Sequence, residues 1–405
     1  MNKPIPASDT PLLRTLSLPQ ITLYGIGTIL GAGIYVLVGE VSNTSGSFMP
    51  LAFILAALVV SFSAYSYGHL SRRYPVSAGE PIYVQQAFGL NTLSTLVGYA
   101  IVFAGMVSAA TIARGFSGYF AVFIELPDTL SISLLLILLT GIAAWGVKLS
   151  VSVAVITTLL ELLGLTFVIY AGADDLPMLF NDANRQLIPT NLEAWQSVGA
   201  GAFIAFYAFI GFEDMVNMAE EVKQPEKNMP RGILLALVTA CLLYFIVTLC
   251  ALAAVPLHDL AESRAPLVLV VEQNTNIPIA LMTAISIVAV VNGALLQIIM
   301  ASRVLYGMGK KNLAPQFLAR VHPRTQTPLI ATLLIGTLTL SAALLAPLIA
   351  LAQATSGTIL CIFTLVNLAL LKLNWRDQQR GFMAMAIPGC GAVVCVGFLL
   401  IQFWL

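Results

Sequence analysis

Glycines cluster in the middle of the first long apolar segment, at Gly25, Gly27, Gly31 and Gly33. Each glycine costs a helix about 1 kcal/mol relative to alanine, so the cluster predicts an unwound turn at Gly31-Ala32-Gly33. The free N–H groups of such a turn lie at the start of a half-helix, where they can bind a carboxylate. Close helix packing through small residues accounts for the same cluster equally well, and both interpretations stay open.

A second interruption is predicted at Phe209-Ile210-Gly211, in a later apolar segment. A break there would free carbonyl oxygens at the end of a half-helix, where they suit an ammonium group. Glu213 and Asp214 follow directly. We interpret Asp214 as the start of a solvated run, whereas Glu213 is either part of that run or a gating or coupling residue.

Glu161 stands alone near the middle of another apolar segment. An ionised side chain at that depth costs about 2.5–3.5 kcal/mol, so a carboxyl group there can load and release a proton. A permanently protonated Glu161 that donates a structural hydrogen bond is one alternative. A sodium site is another, for which Asn292 in a later segment could supply an oxygen ligand.

The composition is that of a membrane protein. Hydrophobic residues make up 59% of the 405 residues and charged residues 9%, against roughly 45–50% and 25% in soluble proteins. The formal net charge is zero, which argues against binding nucleic acid through a general basic field. The scattered His and Cys residues have no metal-ligand spacing and form no catalytic constellation, so we predict no metal, no cofactor and no enzymatic activity.

Apolar runs long enough to cross a bilayer as helices predict an all-α integral membrane protein with about eleven spans: 20–42, 49–71, 91–123, 129–148, 150–172, 195–218, 231–255, 277–305, 328–346, 348–372 and 382–404. Lys and Arg concentrate in alternate loops, and the opposite loops keep only Arg185 and Arg264. By the positive-inside rule, the N-terminus is cytoplasmic and the C-terminus lies outside the plasma membrane.

Residues 1–405 are predicted to form one transmembrane domain with an internal repeat. Residues 20–172 and 195–372 would each contain five spans, and 382–404 would be an additional span. Because five is an odd number, the second copy would be inverted relative to the first. The two glycine-containing interruptions fall in the leading helix of each half, as an inverted repeat requires.

Several segments, in order, resemble the amino acid–polyamine–organocation superfamily, and within it the bacterial relatives of cationic amino acid transporters. These segments are YGIGTILGAGIYVLVG (24–39), RRYPVSAGEPIYVQQAFG (72–89), ARGFSGYF (113–120), FYAFIGFEDMVNMAEEVKQPEKNMPRG (206–232) and SRVLYGMGKKNLAPQFL (302–318). The resemblance implies the five-plus-five inverted-repeat fold of the leucine transporter, alternating access, and amino acid transport.

The resemblance also implies a binding site. The backbone of Gly31, Ala32 and Gly33 would bind the substrate carboxylate. The carbonyls of Ile29, Tyr207 and Ile210 would bind its ammonium group, and the rings of Tyr207 and Phe209 would close over the substrate. Gly211 completes the predicted site.

Two departures from the family pattern bear on substrate and coupling. Members that accept cationic substrates often have a carboxylate in span 3, where this chain places Ala104. Many proton-coupled or exchanging relatives have a Lys in span 5 where this chain has Glu161. That position is expected to lie near the first interruption and Asn292.

The sequence therefore predicts a secondary transporter that moves amino acids across the plasma membrane by proton symport or exchange, with Glu161, Glu213 and Asn292 as coupling or gating residues. Its predicted partners are an amino acid as the small-molecule substrate, a proton or a sodium ion, and the lipid bilayer. Sodium coupling and a non-transporting amino acid sensor are the alternatives. The oligomeric state is not predicted.

Overall fold

The structure is a computed structural model that describes residues 14–76, 79–145, 151–181, 186–378 and 381–404. These residues are almost entirely helical and contain no β-strand, only an isolated bridge between Leu16 and Val222. The helices are α1 (Leu18–Ser45), α2 (Met49–Arg73), α3 (Gly79–Phe88), α4 (Asn91–Ala121), α5 (Asp128–Trp145), α6 (Val151–Gly172), α7 (Leu176–Asn181), α8 (Leu192–Phe206), α9 (Pro225–Ala254), α10 (Leu257–Glu262), α11 (Pro266–Asn274), α12 (Ile279–Lys310), α13 (Leu329–Leu345), α14 (Leu348–Arg376) and α15 (Phe382–Trp404).

The all-α membrane fold is confirmed. Ten of the predicted spans each fall on one helix of the described residues, and among these residues nine segments are long and apolar enough to cross a membrane. One of them, Gly33–Arg73, joins the end of α1 to α2, and α13 is a shorter apolar helix. The count of eleven spans, the inverted repeat and the orientation stay predictions. Arg185, used for the orientation, lies outside the described residues.

The sixth predicted span is not one helix. It consists of α8 and two 3₁₀-helices, Tyr207–Phe209 and Phe212–Glu221, and we call Leu192–Glu221 the broken span. Asn191 caps its start by accepting a hydrogen bond from the Ala194 N–H (2.8 Å), as Asn does at helix N-termini.

Packing brings the broken span to the centre of the molecule. Helix α1 packs against α6, α8, α9 and α12, and α4 packs against α12 and α14. At the end where the described chain starts, the Leu16 N–H donates to the Glu221 carbonyl (2.9 Å) and the Lys223 N–H donates to the Leu16 carbonyl (2.8 Å). The start of α1 and the end of the broken span are thus tied together.

Helix α3 was not predicted. Residues 79–88, which lie between two predicted spans, form a helix that packs against α4 and α14 and carries the buried residue Glu80. Its ten residues are too few to cross a bilayer, and their mixed composition gave no apolar run to recognise.

Candidate functional site

The break at Phe209-Ile210-Gly211 is confirmed. Helix α8 ends at Phe206, Ile210 is extended (φ −67°, ψ 136°), and Gly211 has a φ of 127°. Residues with a side chain rarely adopt that φ. A Cβ at Gly211 would also overlap the carbonyl oxygen of Thr28 in α1. Glycine is therefore required here both for the backbone conformation and for the close approach of the broken span to α1.

Side chains satisfy the polar backbone groups that the break frees. The Gly211 N–H donates to Glu213 Oε2 at 2.9 Å. The Tyr244 hydroxyl of α9 lies 2.9 Å from the Ala208 carbonyl oxygen and can donate to it. Because an unpaired buried backbone group is costly, these two side chains make the interruption stable within the protein.

The predicted unwound turn in α1 is wrong for this structure, because α1 continues through Gly31-Ala32-Gly33 without interruption. Its glycines allow close packing instead. A Cβ at Gly27 would overlap the Thr158 side chain, and one at Gly33 would overlap the backbone of Ala208. The small-residue packing interpretation therefore describes α1.

A small central cavity lies where α1, α4, α12 and the broken span meet. It is lined by Thr28, Ile29, Gly33, Ser108, Ile112, Tyr207, Ile210, Asp214, Gly293, Leu296 and Gln297. The Tyr207 hydroxyl pairs with the Ser108 hydroxyl at 2.8 Å, which fixes the tyrosine ring at the cavity wall. The cavity thus combines apolar walls with a few polar groups, as small-molecule sites do.

Four of the predicted binding residues line this cavity: Ile29, Gly33, Tyr207 and Ile210. Phe209 does not, because its ring packs edge-on against Phe53 and Tyr244. Gly31 faces α12, since a Cβ there would lie 3.6 Å from the Ala289 carbonyl oxygen. Gly211 lies against Thr28 as described above, and the side chain of Ala32 lies outside the described atoms.

A second cavity, which we call the acidic cavity, adjoins the first through shared lining residues. It is lined by Glu80, Ile101, Ala104, Gly105, Ser108, Ile210, Glu213, Asp214, Asn217, Gln297, Thr355, Ile359 and Ile362. No Lys, Arg or His is among the described residues that line either cavity. Three carboxyl groups therefore face this space without a basic partner in the lining.

Each of these carboxyl groups has a hydrogen-bond donor. The Tyr67 hydroxyl donates to Glu80 Oε1 (3.1 Å), and the Gln297 amide lies 3.5 Å from Asp214 Oδ2. Burial raises the pKa of Glu80 to about 7, although its own backbone N–H and the Tyr67 hydroxyl act in the opposite direction. Glu80 therefore titrates near neutral pH.

Asp214 is the residue that sequence reasoning missed. The sequence pattern assigns Asp214 to the start of a solvated run, but Asp214 lines both cavities. The available signal was its position directly after a break, because a 3₁₀-helix turns the next residues back toward the site. Ala104 does line the acidic cavity, but the carboxylates there come from the broken span and α3.

Glu161 of α6 is fully buried, and neither carboxyl oxygen has a hydrogen-bond partner among the described residues. A Cβ at Gly31 would lie 3.9 Å from its Oε1. The Asn292 amide of α12 faces the carboxyl group, although without hydrogen-bond geometry. These are the neighbours that the sequence predicted for Glu161. Its carboxyl group lies between α1, α6 and α12, outside both cavity linings.

Comparison with known proteins agrees with this architecture. A family model described as amino acid permease matches residues 16–405. A branched-chain amino acid permease of Bacillus subtilis (strain 168) is 27% identical over 98% of this chain and 90% of its own length. The vacuolar cationic amino acid transporter 4 of Arabidopsis thaliana is also 27% identical, over 90% of this chain and 64% of its own length. A methylthioribose transporter of Bacillus subtilis (strain 168) is 26% identical over 96% of this chain and 88% of its own length.

Proposed function

The chain belongs to the amino acid permease family and is a multi-pass membrane transporter of amino acids, and from this premise we propose how it binds and couples its substrate. The substrate occupies the central cavity and is moved across the plasma membrane by alternating access, as proton symport or exchange. The N-terminus is cytoplasmic and the C-terminus outside.

The amino and carboxyl groups of the substrate bind between α1 and the broken span. The carbonyl oxygens of Ile29, Tyr207 and Ile210 accept hydrogen bonds from the ammonium group, supported by the position of these residues in the lining. The carboxylate binds the N–H groups of Gly31 to Gly33. Those groups lie within a continuous helix here, so binding includes local loosening of a turn that its glycines already weaken.

The side chain of the substrate reaches the acidic cavity, and we propose that this side chain is positively charged. Asp214 lies at the junction of the two cavities, and Glu80 and Glu213 lie beyond it with no basic residue in the described lining. The isoleucines that also line this space suit the apolar stem of a lysine or arginine side chain, whose charged end then meets the carboxylates. Relatives named as cationic amino acid transporters support this class.

Coupling is assigned to Glu161. Its unpartnered carboxyl group faces α1, which packs against the broken span, and Asn292 of α12. Gain or loss of a proton there changes the interaction between these helices and so the balance between access states. Sodium coupling is the alternative, in which oxygens of Glu161 and Asn292 would contribute to one ion site.

The observation that carries this proposal is the pair of adjoining cavities beside the break, with Asp214 shared by both. The test is a thermal-shift screen of the twenty L-amino acids at pH 5.5 and 7.5, since a bound ligand raises apparent stability. We expect lysine, arginine or both to stabilise the protein, and leucine to have no effect. Stabilisation by apolar amino acids alone would contradict the assigned charge.

Counterflow in proteoliposomes then separates transport from sensing. We expect radiolabelled lysine to enter vesicles preloaded with unlabelled lysine, with and without sodium. Binding without counterflow would favour a sensor, and counterflow only in sodium would favour the sodium site.

A further inference from the structure

Tyr244 of α9 lies behind the wall of the central cavity and contacts two of the segments that form it, α1 and the broken span. Its hydroxyl oxygen is 2.8 Å from the Ile29 carbonyl oxygen of α1 and 2.9 Å from the Ala208 carbonyl oxygen of the broken span. The side chain is fully buried. One hydroxyl hydrogen is therefore available to two carbonyl oxygens on different segments.

Two aromatic rings fix the position of this hydroxyl. Phe53 of α2 packs edge-on against the Tyr244 ring with centroids 5.6 Å apart, and Phe209 of the break does so at 5.0 Å. Edge-to-face contacts at these distances are favourable. The interior of a protein is closely packed, so the ring cannot turn without displacing both neighbours. The hydroxyl position is thus set by side chains from α2 and from the break itself.

We propose that Tyr244 is a positioning residue, which holds the Ile29 carbonyl and the carbonyls of the break at the spacing that a substrate ammonium group requires. Ile29 lines the cavity, and so do Tyr207 and Ile210 on either side of Ala208. Without a donor between them, the two carbonyl dipoles repel each other and the segments separate. The inference rests on the ammonium site of the proposed function.

The double acceptor arrangement has a consequence for binding. When an ammonium group donates to the Ile29 carbonyl, the hydroxyl can turn its hydrogen fully toward Ala208. No buried group then loses its partner, which would be costly. Tyr244 can therefore support the site both with and without substrate.

Tyr244→Phe removes the hydroxyl and keeps the ring. Tyr119→Phe is the matched control. The Tyr119 hydroxyl of α4 is also buried, and it donates a hydrogen bond to the Tyr35 carbonyl of α1 (2.5 Å). Neither residue is in the lining of the central cavity. The probes are L-lysine, or the tightest binder of the screen if lysine does not bind, and the analogue in which a hydroxyl replaces its α-amino group.

We expect Tyr244→Phe to weaken amino acid binding roughly three- to tenfold, the range for one lost hydrogen bond, and to leave binding of the hydroxy analogue unchanged. Tyr119→Phe should bind both probes as the wild type does, even where its melting temperature falls equally. Unchanged or tighter amino acid binding by Tyr244→Phe, or an equal loss in Tyr119→Phe, would overturn the inference.

The two proposals fail separately. If the wild type binds the hydroxy analogue as tightly as the amino acid, the ammonium site is wrong. If the wild type discriminates but Tyr244→Phe weakens binding of both probes equally, the positioning inference alone is overturned. If Tyr244→Phe does not fold, Phe53→Leu is measured instead, because it frees the Tyr244 ring while retaining its hydroxyl. Normal amino acid affinity in Phe53→Leu would then count against the inference.

Discussion

Helix α1 and the broken span both carry glycine in the middle of an apolar segment, yet only one of them is interrupted. Helix α1 contains Gly25, Gly27, Gly31 and Gly33 and is continuous. The broken span, by contrast, leaves the helical conformation at Ile210 and Gly211. The number of glycines therefore does not decide where a buried helix breaks.

The difference lies in what surrounds each glycine. At the break, Glu213 accepts the freed N–H of Gly211, and the Tyr244 hydroxyl lies beside the Ala208 carbonyl. In α1, the glycines instead admit atoms of neighbouring helices, such as the backbone of Ala208 against Gly33. A buried break needs replacement partners for its polar groups, whereas a buried glycine in a helix needs only a close neighbour.

The largest expected effect is that of Gly211→Ala. The new Cβ would overlap the Thr28 carbonyl and force a residue with a side chain into a φ of 127°. Strain and overpacking at about 1–3 kcal/mol each should abolish lysine counterflow and lower the yield of folded protein. Counterflow and size-exclusion chromatography provide the measurements.

Gly31→Ala in α1 is the counterpart. The nearest atom to its new Cβ is 3.6 Å away, an ordinary contact, so we expect the melting temperature to stay the same or rise, in line with roughly 0.5–1 kcal/mol of helix stabilisation. A folded Gly211→Ala variant, or a Gly31→Ala variant that melts far below the wild type, would show that the two glycines do not differ as described.

Asp214→Asn tests whether the broken span recognises the substrate side chain. We expect lysine affinity to fall roughly 10- to 100-fold, since a hydrogen bond to a charged group contributes about 1.5–3 kcal/mol. Isothermal titration of lysine measures the loss. Asp128→Asn is the control, because Asp128 pairs with Arg264 away from both cavity linings. Equal lysine affinity in Asp214→Asn and wild type would remove Asp214 from the site.

The sequence predicted the long apolar helices and the break at Gly211, because runs of apolar residues and a glycine next to acidic residues are local signals. It did not predict that α1 stays continuous, since Thr158 and Ala208, which pack on its glycines, are distant in the chain. Asp214 and Glu80 were missed for the same reason. Their burial depends on tertiary packing, whereas their charge alone is typical of solvated loops.

Glu161→Gln tests the continuous helix of the comparison, α1, because Glu161 lies next to Gly31 of that helix. The amide cannot change its charge, so lysine binding should survive in the variant. The ratio of lysine affinities at about pH 5 and pH 8 should become smaller by roughly three- to tenfold, which corresponds to about 0.7–1.4 kcal/mol. Titration of affinity against pH is the measurement, with the exposed Glu193→Gln as control. Superimposable profiles would move coupling to Glu213 or to no side chain.

Glu80→Gln should have the smallest effect, and it concerns the carboxyl group that α3 adds beside the broken span. Burial raises the pKa of Glu80 from 4.5 in the unfolded chain to about 7 in the folded protein. The folded protein therefore holds this proton more tightly, so the contribution to stability is complete below pH 4.5 and declines as the pH rises to about 7.

Above that pH, ionised Glu80 adds a negative charge to the acidic cavity and should raise lysine affinity about twofold. In Glu80→Gln both changes should disappear, so its melting temperature should fall less than that of the wild type between pH 4.5 and 7, while Glu193→Gln follows the wild type. Identical slopes in Glu80→Gln and wild type would mean that Glu80 does not titrate in this range, and that the charge of the acidic cavity comes from the broken span alone.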